Sequence, residues 1–132
     1  MAKAIFLDRD GVINHPIFRN NVNKPIAPWS LDEFKIYEDF KKFALDLSEL
    51  SYDLFVITNQ PDISKGIIDA HLVEKMHNII MKKFPIKEIL FCPHEDFQQC
   101  NCRKPKPDMI IKLAKNWDIS LKKSFMIGDG WR

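Results

Sequence analysis

Ile5-Phe6-Leu7-Asp8-Arg9-Asp10-Gly11-Val12-Ile13-Asn14 is the stretch on which the reading of this chain turns. Its short apolar run reads as a buried strand. Two aspartates follow, one residue apart, and then a glycine that lets the backbone turn sharply. Ligands of parallel α/β sheets bind just past the carboxyl ends of the strands, and side chains two apart in an extended segment share a face. Asp8 and Asp10 are therefore expected at such a site, pointing the same way. Two close carboxylates repel unless a cation lies between them, and Mg²⁺, a hard ion that prefers oxygen ligands, is the ordinary choice. An isolated Asp-x-Asp is explained as well by a strand end running into an Asx turn, so the case rests on the remaining segments.

Three of them carry the argument. Leu54-Phe55-Val56-Ile57-Thr58-Asn59-Gln60 is an apolar strand ending in small polar residues able to donate to phosphate oxygens. Cys102-Arg103-Lys104-Pro105-Lys106-Pro107 sets two adjacent cations on a proline-stiffened loop ahead of a helix, and Phe125-Met126-Ile127-Gly128-Asp129 is a strand ending in Gly-Asp. In order and wording, the four segments resemble the motifs of the haloacid dehalogenase-like phosphohydrolases, from Phe6 to Asp129. The resemblance implies a phosphomonoester hydrolase with an aspartyl-phosphate intermediate. By it, Asp8 is the nucleophile and Asp10 the general acid and base, while Thr58 and Asn59 hold the phosphoryl oxygens. Lys104 would neutralise transferring charge, and Arg103 would take a more peripheral substrate group. Asp8, the Asp10 carbonyl and Asp129 would bind catalytic Mg²⁺. The chemistry asks for these types, because a phosphate monoester is a dianion whose hydrolysis depends mostly on positioning and charge neutralisation.

Cys92, His94, Cys100 and Cys102 place four potential ligands within eleven residues. Three thiolates and one imidazole are a standard tetrahedral set for structural Zn²⁺, closed to water, and the odd count of cysteines argues against a fully paired disulfide framework. The zinc loop, about 92–102, would then pin the segment directly before Arg103 and Lys104, in a reducing, cytoplasmic compartment. This insert resembles that of the bacterial heptose bisphosphate and histidinol-phosphate phosphatases. The opening motif and Cys102-Arg103-Lys104-Pro105-Lys106-Pro107 look more like the D-glycero-D-manno-heptose-1,7-bisphosphate phosphatase branch, which implies removal of the 7-phosphate. The five-residue gap between His94 and Cys100 looks more like the histidinol-phosphatase branch. Asp108 departs from the glycine common after Lys-Pro-x-Pro, and an anion at a helix start is tolerated.

The family's last motif reads Gly-Asp-x-x-x-Asp, whose second acid would fall just past Arg132, and Gly130 stands where relatives often have lysine or arginine. The chain therefore reads as C-terminally short, lacking a further helix and strand, and a truncated, non-catalytic phosphate-binding relative is an alternative to the enzyme.

At 132 residues and 45% hydrophobic, one domain spanning 1–132 is expected. A net charge of +2 makes no electrostatic case for nucleic acid. No apolar run nears the ~20 residues of a membrane span, and a strand begins too early for a signal peptide. A monomer acting on a small phosphorylated sugar is the expectation.

Strands at about 4–7, 54–57, 88–91 and 124–127 alternate with helical patterns, which predicts an α/β fold with a doubly wound parallel sheet. The helices are marked by Phe40, Phe43, Ala44 and Leu47; by Ile68, Leu72, Met76 and Ile80; and by Ile110, Leu113, Ala114 and Trp117 behind Pro107. His71 and His77 read as ordinary surface or half-buried residues. Residues 15–35 read as an irregular, proline-punctuated loop with a substrate-facing place, and loops of that length usually carry function. Within it His15, Arg19 and Lys24 read first as solvated side chains.

Overall fold

The computed structural model describes residues 1–128, so Asp129, expected as a Mg²⁺ ligand, lies outside the described residues. Four parallel strands, β1 (Lys3–Leu7), β2 (Tyr52–Asn59), β3 (Ile86–Cys92) and β4 (Phe125–Ile127), form one sheet in the order β3-β2-β1-β4. Three helices connect them: α1 (Phe40–Glu49), α2 (Ala70–Lys83) and α3 (Asp108–Trp117).

The central strands β1 and β2 have near-continuous buried apolar runs because both sheet faces are covered there, whereas Phe125 and Met126 of β4 are exposed. Ile5 and Leu7 of β1 lie in register with Leu54 and Val56 of β2. These four pack with Phe40 and Ala44 of α1 and Met76 and Ile80 of α2. The alternate residues, Ala4 and Phe6 with Phe55 and Ile57, turn to the other face and meet Met109 and Leu113 of α3. Two helices on one face and one on the other make the sheet doubly wound, as the alternation of strands and helices predicts.

Local chemistry sets the helix ends. Asp69 caps α2, its carboxylate accepting from the Leu72 amide at 2.8 Å, and Lys82 and Lys83 lie in the last turn, where the helix dipole favours cations. Pro85 follows and cannot continue it. Asp108 sits in the first turn of α3, and Asp118 ends it in the left-handed region at φ 52°.

Three side chains depart from the sequence expectation. Phe43 is 40% exposed and Trp117 38% exposed. The Trp117 ring packs edge-on against Phe55 at 5.5 Å while its indole donates to Glu88 at 2.8 Å, so it covers the core from outside. His77 is buried, because its partner is a buried cation from the other side of the sequence. No helix among the described residues is long and apolar enough to cross a membrane.

Candidate active site and metal-binding cluster

The strand order reverses direction at β1, and the carboxyl ends of β1, β2 and β4 open into a cavity of about 760 Å³. Asp8, Asp10, Asn59, Arg103 and Lys104 all line it, brought together from three separate segments. Pro16 and Lys24 to Ala27 form one wall, and Pro61, Asp62 and Lys65 another. Five cationic side chains face three carboxylates around this space, an excess that favours a dianionic ligand.

Each of the paired acids has its own protein cation, in addition to the Mg²⁺ expected beside them. Lys104 Nζ donates to Asp8 Oδ1 at 2.8 Å and to the Ile57 carbonyl at 3.0 Å. The Arg9 amide donates to the same Asp8 oxygen at 2.9 Å. Asp10 is held from behind: Arg9 Nε at 3.1 Å, Arg9 Nη2 at 2.9 Å and Asn14 Nδ2 at 3.0 Å converge on its Oδ1. Gln60 Nε2 donates to the other oxygen at 2.9 Å.

Arg9 is the residue that sequence reasoning missed. Its guanidinium is fully buried, 3.2 Å from His77 Nε2 and 3.6 Å from the Met76 sulfur. A buried guanidinium needs paired acceptors, and Asp10 and His77 supply them. Burial first, and then the Arg9 charge, depress His77 to about 3, so the ring is neutral and accepts from the arginine through Nε2. The only sequence signal was a cation placed between two acids.

Thr58 and Asn59 close β2 as expected, but their side chains have protein partners. Asn59 clamps the main chain of Lys104, its Oδ1 accepting from the Lys104 amide at 2.9 Å and its Nδ2 donating to the Lys104 carbonyl at 3.1 Å. The Thr58 hydroxyl is buried beneath the cavity and accepts from Gln60 at 3.0 Å. Arg103 lines the rim and donates to the His94 carbonyl at 3.1 Å, which ties the loop carrying Arg103 and Lys104 to the thiol cluster. Arg19, by contrast, is committed to Glu33 through two hydrogen bonds of 3.0 and 2.6 Å, which hold the Glu33 carboxyl below its usual range. His15 packs against Tyr37, with ring centroids 3.9 Å apart and the planes tilted by 45°.

Cys92, at the end of β3, meets His94, Cys100 and Cys102, with all four ligand atoms within 4.8 Å of one another. Cys92 Sγ is 2.7 Å from Cys102 Sγ and 3.4 Å from both Cys100 Sγ and His94 Nδ1. The cysteines are free thiols. Burial and the neighbouring sulfurs push Cys102 up to about 12. At Cys100, burial acts upward but is outweighed by hydrogen bonding from Cys92 and from the Arg103 and Cys102 main chain, which brings it down to about 6. Three thiols crowded this closely cannot all ionise without a cation among them. Soft donors at this spacing, three sulfurs and one imidazole, are the set that Zn²⁺ takes in four-coordinate sites.

Residues 3–131 match the family model described as polynucleotide kinase 3 phosphatase. The chain is 37% identical over 133 residues to a D-glycero-beta-D-manno-heptose-1,7-bisphosphate 7-phosphatase of Helicobacter pylori, covering 96% of this chain and 72% of that protein. It is 33% identical over 132 residues to a D-glycero-alpha-D-manno-heptose-1,7-bisphosphate 7-phosphatase of Campylobacter jejuni, covering 96% of this chain and 71% of that one. Among solved structures, the D,D-heptose 1,7-bisphosphate phosphatase from B. bronchiseptica, complexed with magnesium and phosphate, is similar with a TM-score of 0.80 at 27% identity. That similarity covers 98% of this chain and 72% of the other.

Proposed function

Since this chain belongs to the haloacid dehalogenase-like phosphatases of the heptose bisphosphate and histidinol-phosphate branch, we propose that it removes the 7-phosphate of D-glycero-D-manno-heptose 1,7-bisphosphate. The observation that carries this reading is the meeting of Asp8, Asp10, Asn59, Arg103 and Lys104 in one cavity with an excess of positive charge.

Asp8 attacks phosphorus, and the bond from phosphorus to the sugar oxygen breaks as the aspartyl-phosphate forms. Asp10 gives the departing oxygen its proton, then takes one from the water that cleaves the acyl phosphate. Lys104, already 2.8 Å from Asp8, offsets charge on the transferring group. The Thr58 hydroxyl accepts from Gln60 and keeps its own proton for a phosphoryl oxygen, and the second amide hydrogen of Asn59 serves the same end. Arg103 takes a more peripheral part of the substrate.

Among the described residues, Asp8 Oδ2 and the main-chain oxygen of Asp10 accept no hydrogen bond. Two open oxygen donors suit a hard dication. Asp8, the Asp10 carbonyl and, from the sequence, Asp129 would hold Mg²⁺, which when bound adds positive charge at the phosphoryl oxygens. Cys92, His94, Cys100 and Cys102 would hold one structural Zn²⁺, keeping the loop that carries Arg103 and Lys104 in place.

A small sugar phosphate suits the modest net charge of +2 better than a nucleic-acid strand does. The short gap between His94 and Cys100 favours histidinol phosphate as the second substrate to test. Phosphate release is to be measured with both heptose bisphosphate anomers, histidinol phosphate and a nucleotide 3′-phosphate, with and without Mg²⁺. Highest kcat/KM on a heptose bisphosphate, lost without Mg²⁺, is the expected result. Preference for histidinol phosphate would move the substrate assignment, and no Mg²⁺-dependent release on any member of the panel would overturn the phosphatase reading.

A further inference from the structure

Residues 16–33 brace themselves. Ile17 and Ile26 form an antiparallel bridge, Arg19 pairs with Glu33, and the Arg19 guanidinium lies over the Trp29 ring at 3.5 Å. The Trp29 amide also donates to Glu33, at 2.8 Å. Among the described residues, and apart from the local turn bond of the Phe34 amide to the Leu31 carbonyl at 3.1 Å, one hydrogen bond ties this strap to the rest of the molecule: the Trp29 indole Nε1–H donates to Asp62 Oδ2 at 3.0 Å.

Asp62 is placed to use that bond. The residue is buried, its other carboxylate oxygen is 4.0 Å from Lys65 Nζ, and its carbonyl accepts from the amides of Ile67 at 3.1 Å and Ile68 at 3.4 Å. It therefore closes the loop after β2 with its main chain and holds the strap with its side chain. Both walls that the bond joins line the cavity, Lys24 to Ala27 on one side and Pro61 to Lys65 on the other. Asp8 and Lys104 belong to other segments, so the chemistry does not depend on this bond directly.

We propose that Asp62 is a specificity-determining positioning residue, whose hydrogen bond to Trp29 fixes the wall that meets the part of the substrate remote from the scissile phosphate. The proposal rests on the phosphatase reading above and adds to it which esters the cavity prefers. Interactions with remote parts of a substrate raise kcat/KM only when the protein holds them in place. A long phosphorylated sugar reaches this wall. A small aryl phosphate does not.

The test compares Asp62→Ala, Asp62→Asn, Trp29→Phe and the Asp62→Ala/Trp29→Phe double variant on two substrates. One is p-nitrophenyl phosphate, and the other is the extended sugar phosphate that the panel ranks first. Removing a hydrogen bond to a charged acceptor should lower kcat/KM for the extended substrate by about tenfold to a hundredfold in each single variant. The double variant should lose no more than the worse single one, because both remove the same bond. Asp62→Asn keeps an acceptor oxygen and should retain most of the activity. The values for p-nitrophenyl phosphate should stay within about twofold throughout. Equal losses on both substrates would overturn the proposal, as would full activity of Asp62→Ala on the extended one.

A reading without substrate separates the two ideas. The Trp29 indole N–H resonance, assigned by its absence in Trp29→Phe, should exchange slowly in the wild type and quickly in Asp62→Ala. Fast exchange in a wild type that still hydrolyses its substrates sinks the strap anchor alone, whereas failure of the wild type to release phosphate sinks the activity reading.

Discussion

At the end of β1, the acids are already matched: Lys104 Nζ stands 2.8 Å from Asp8, and Arg9 Nη2 stands 2.9 Å from Asp10. After β3, four ligand atoms crowd within 4.8 Å, and burial with the neighbouring sulfurs pushes Cys102 up to about 12 while hydrogen bonding brings Cys100 down to about 6. In the first cluster each acid already has a cation from the protein itself. In the second, three crowded thiols cannot all ionise as protein alone, and a dication would relieve them. A group of ionisable side chains can thus be pre-formed for chemistry or arranged for a ligand that completes the fold, and local charge balance tells the two apart.

The sharpest test of the pre-formed cluster is Asp8→Asn. It should reduce turnover by on the order of 10⁴ or more, since an amide is not a competent nucleophile, while the thermal midpoint stays within a few degrees. Residual activity above that level would break the covalent reading. Asp10→Asn should cost about 10²–10⁴ in rate, less with good leaving groups than with poor ones. An equal loss for both, with phosphorylation rate-limiting, would count against a proton-transfer role.

Arg9→Met probes whether the balance is structural. Leaving Asp10 and His77 without their buried cation should destabilise the fold by about 3 kcal/mol in urea titration. A loss under about 1 kcal/mol would mean that the pairing is incidental.

The thiol cluster should behave differently. Elemental analysis should find about one zinc per chain, and Cys100→Ser should lower zinc content and thermal midpoint together, by several degrees. Metal-free protein with unchanged stability would erase the contrast between the clusters. A last effect concerns pH and is absent near neutrality. His77 is held at about 3, against an ordinary value near 6.5. As pH falls below about 6.5, the unfolded chain takes up a proton that the folded one refuses, so stability declines progressively toward about pH 3 and is unaffected above 6.5. His77→Gln should flatten that part of the stability curve.

Much of this was legible because the signals are local. Apolar runs closed by polar residues marked three of the four strands, β3 running instead into Cys92, and strands alternating with helices predicted the doubly wound sheet. Cys92, His94, Cys100 and Cys102 are close in sequence and lie close in space. Asp8 and Lys104 meet although 96 residues separate them, as the family resemblance implied. What stayed hidden depends on partners that no local pattern announces. Arg9 read as one more charge beside two acids, because its burial needs Met76 and His77, 67 and 68 residues further on. That Asn59 also clamps the Lys104 main chain, 45 residues further on, has no local signal. Residues 15–35 read as irregular, since bracing by Arg19, Trp29 and Glu33 has no periodicity to detect.

The position of β1 has a consequence for how the chain is made. Among the described strands it is the earliest in the chain, yet in the sheet it lies between β2 and β4, and its Ala4 amide is satisfied by the Ser124 hydroxyl, 120 residues later. Until that partner is synthesised, one flank of an apolar strand stays open, a template for pairing with another nascent chain. Folding must wait for long-range closure, which is slow in parallel sheets. Growth temperature and chaperone supply should therefore govern the yield of folded protein more strongly than they govern its stability once folded.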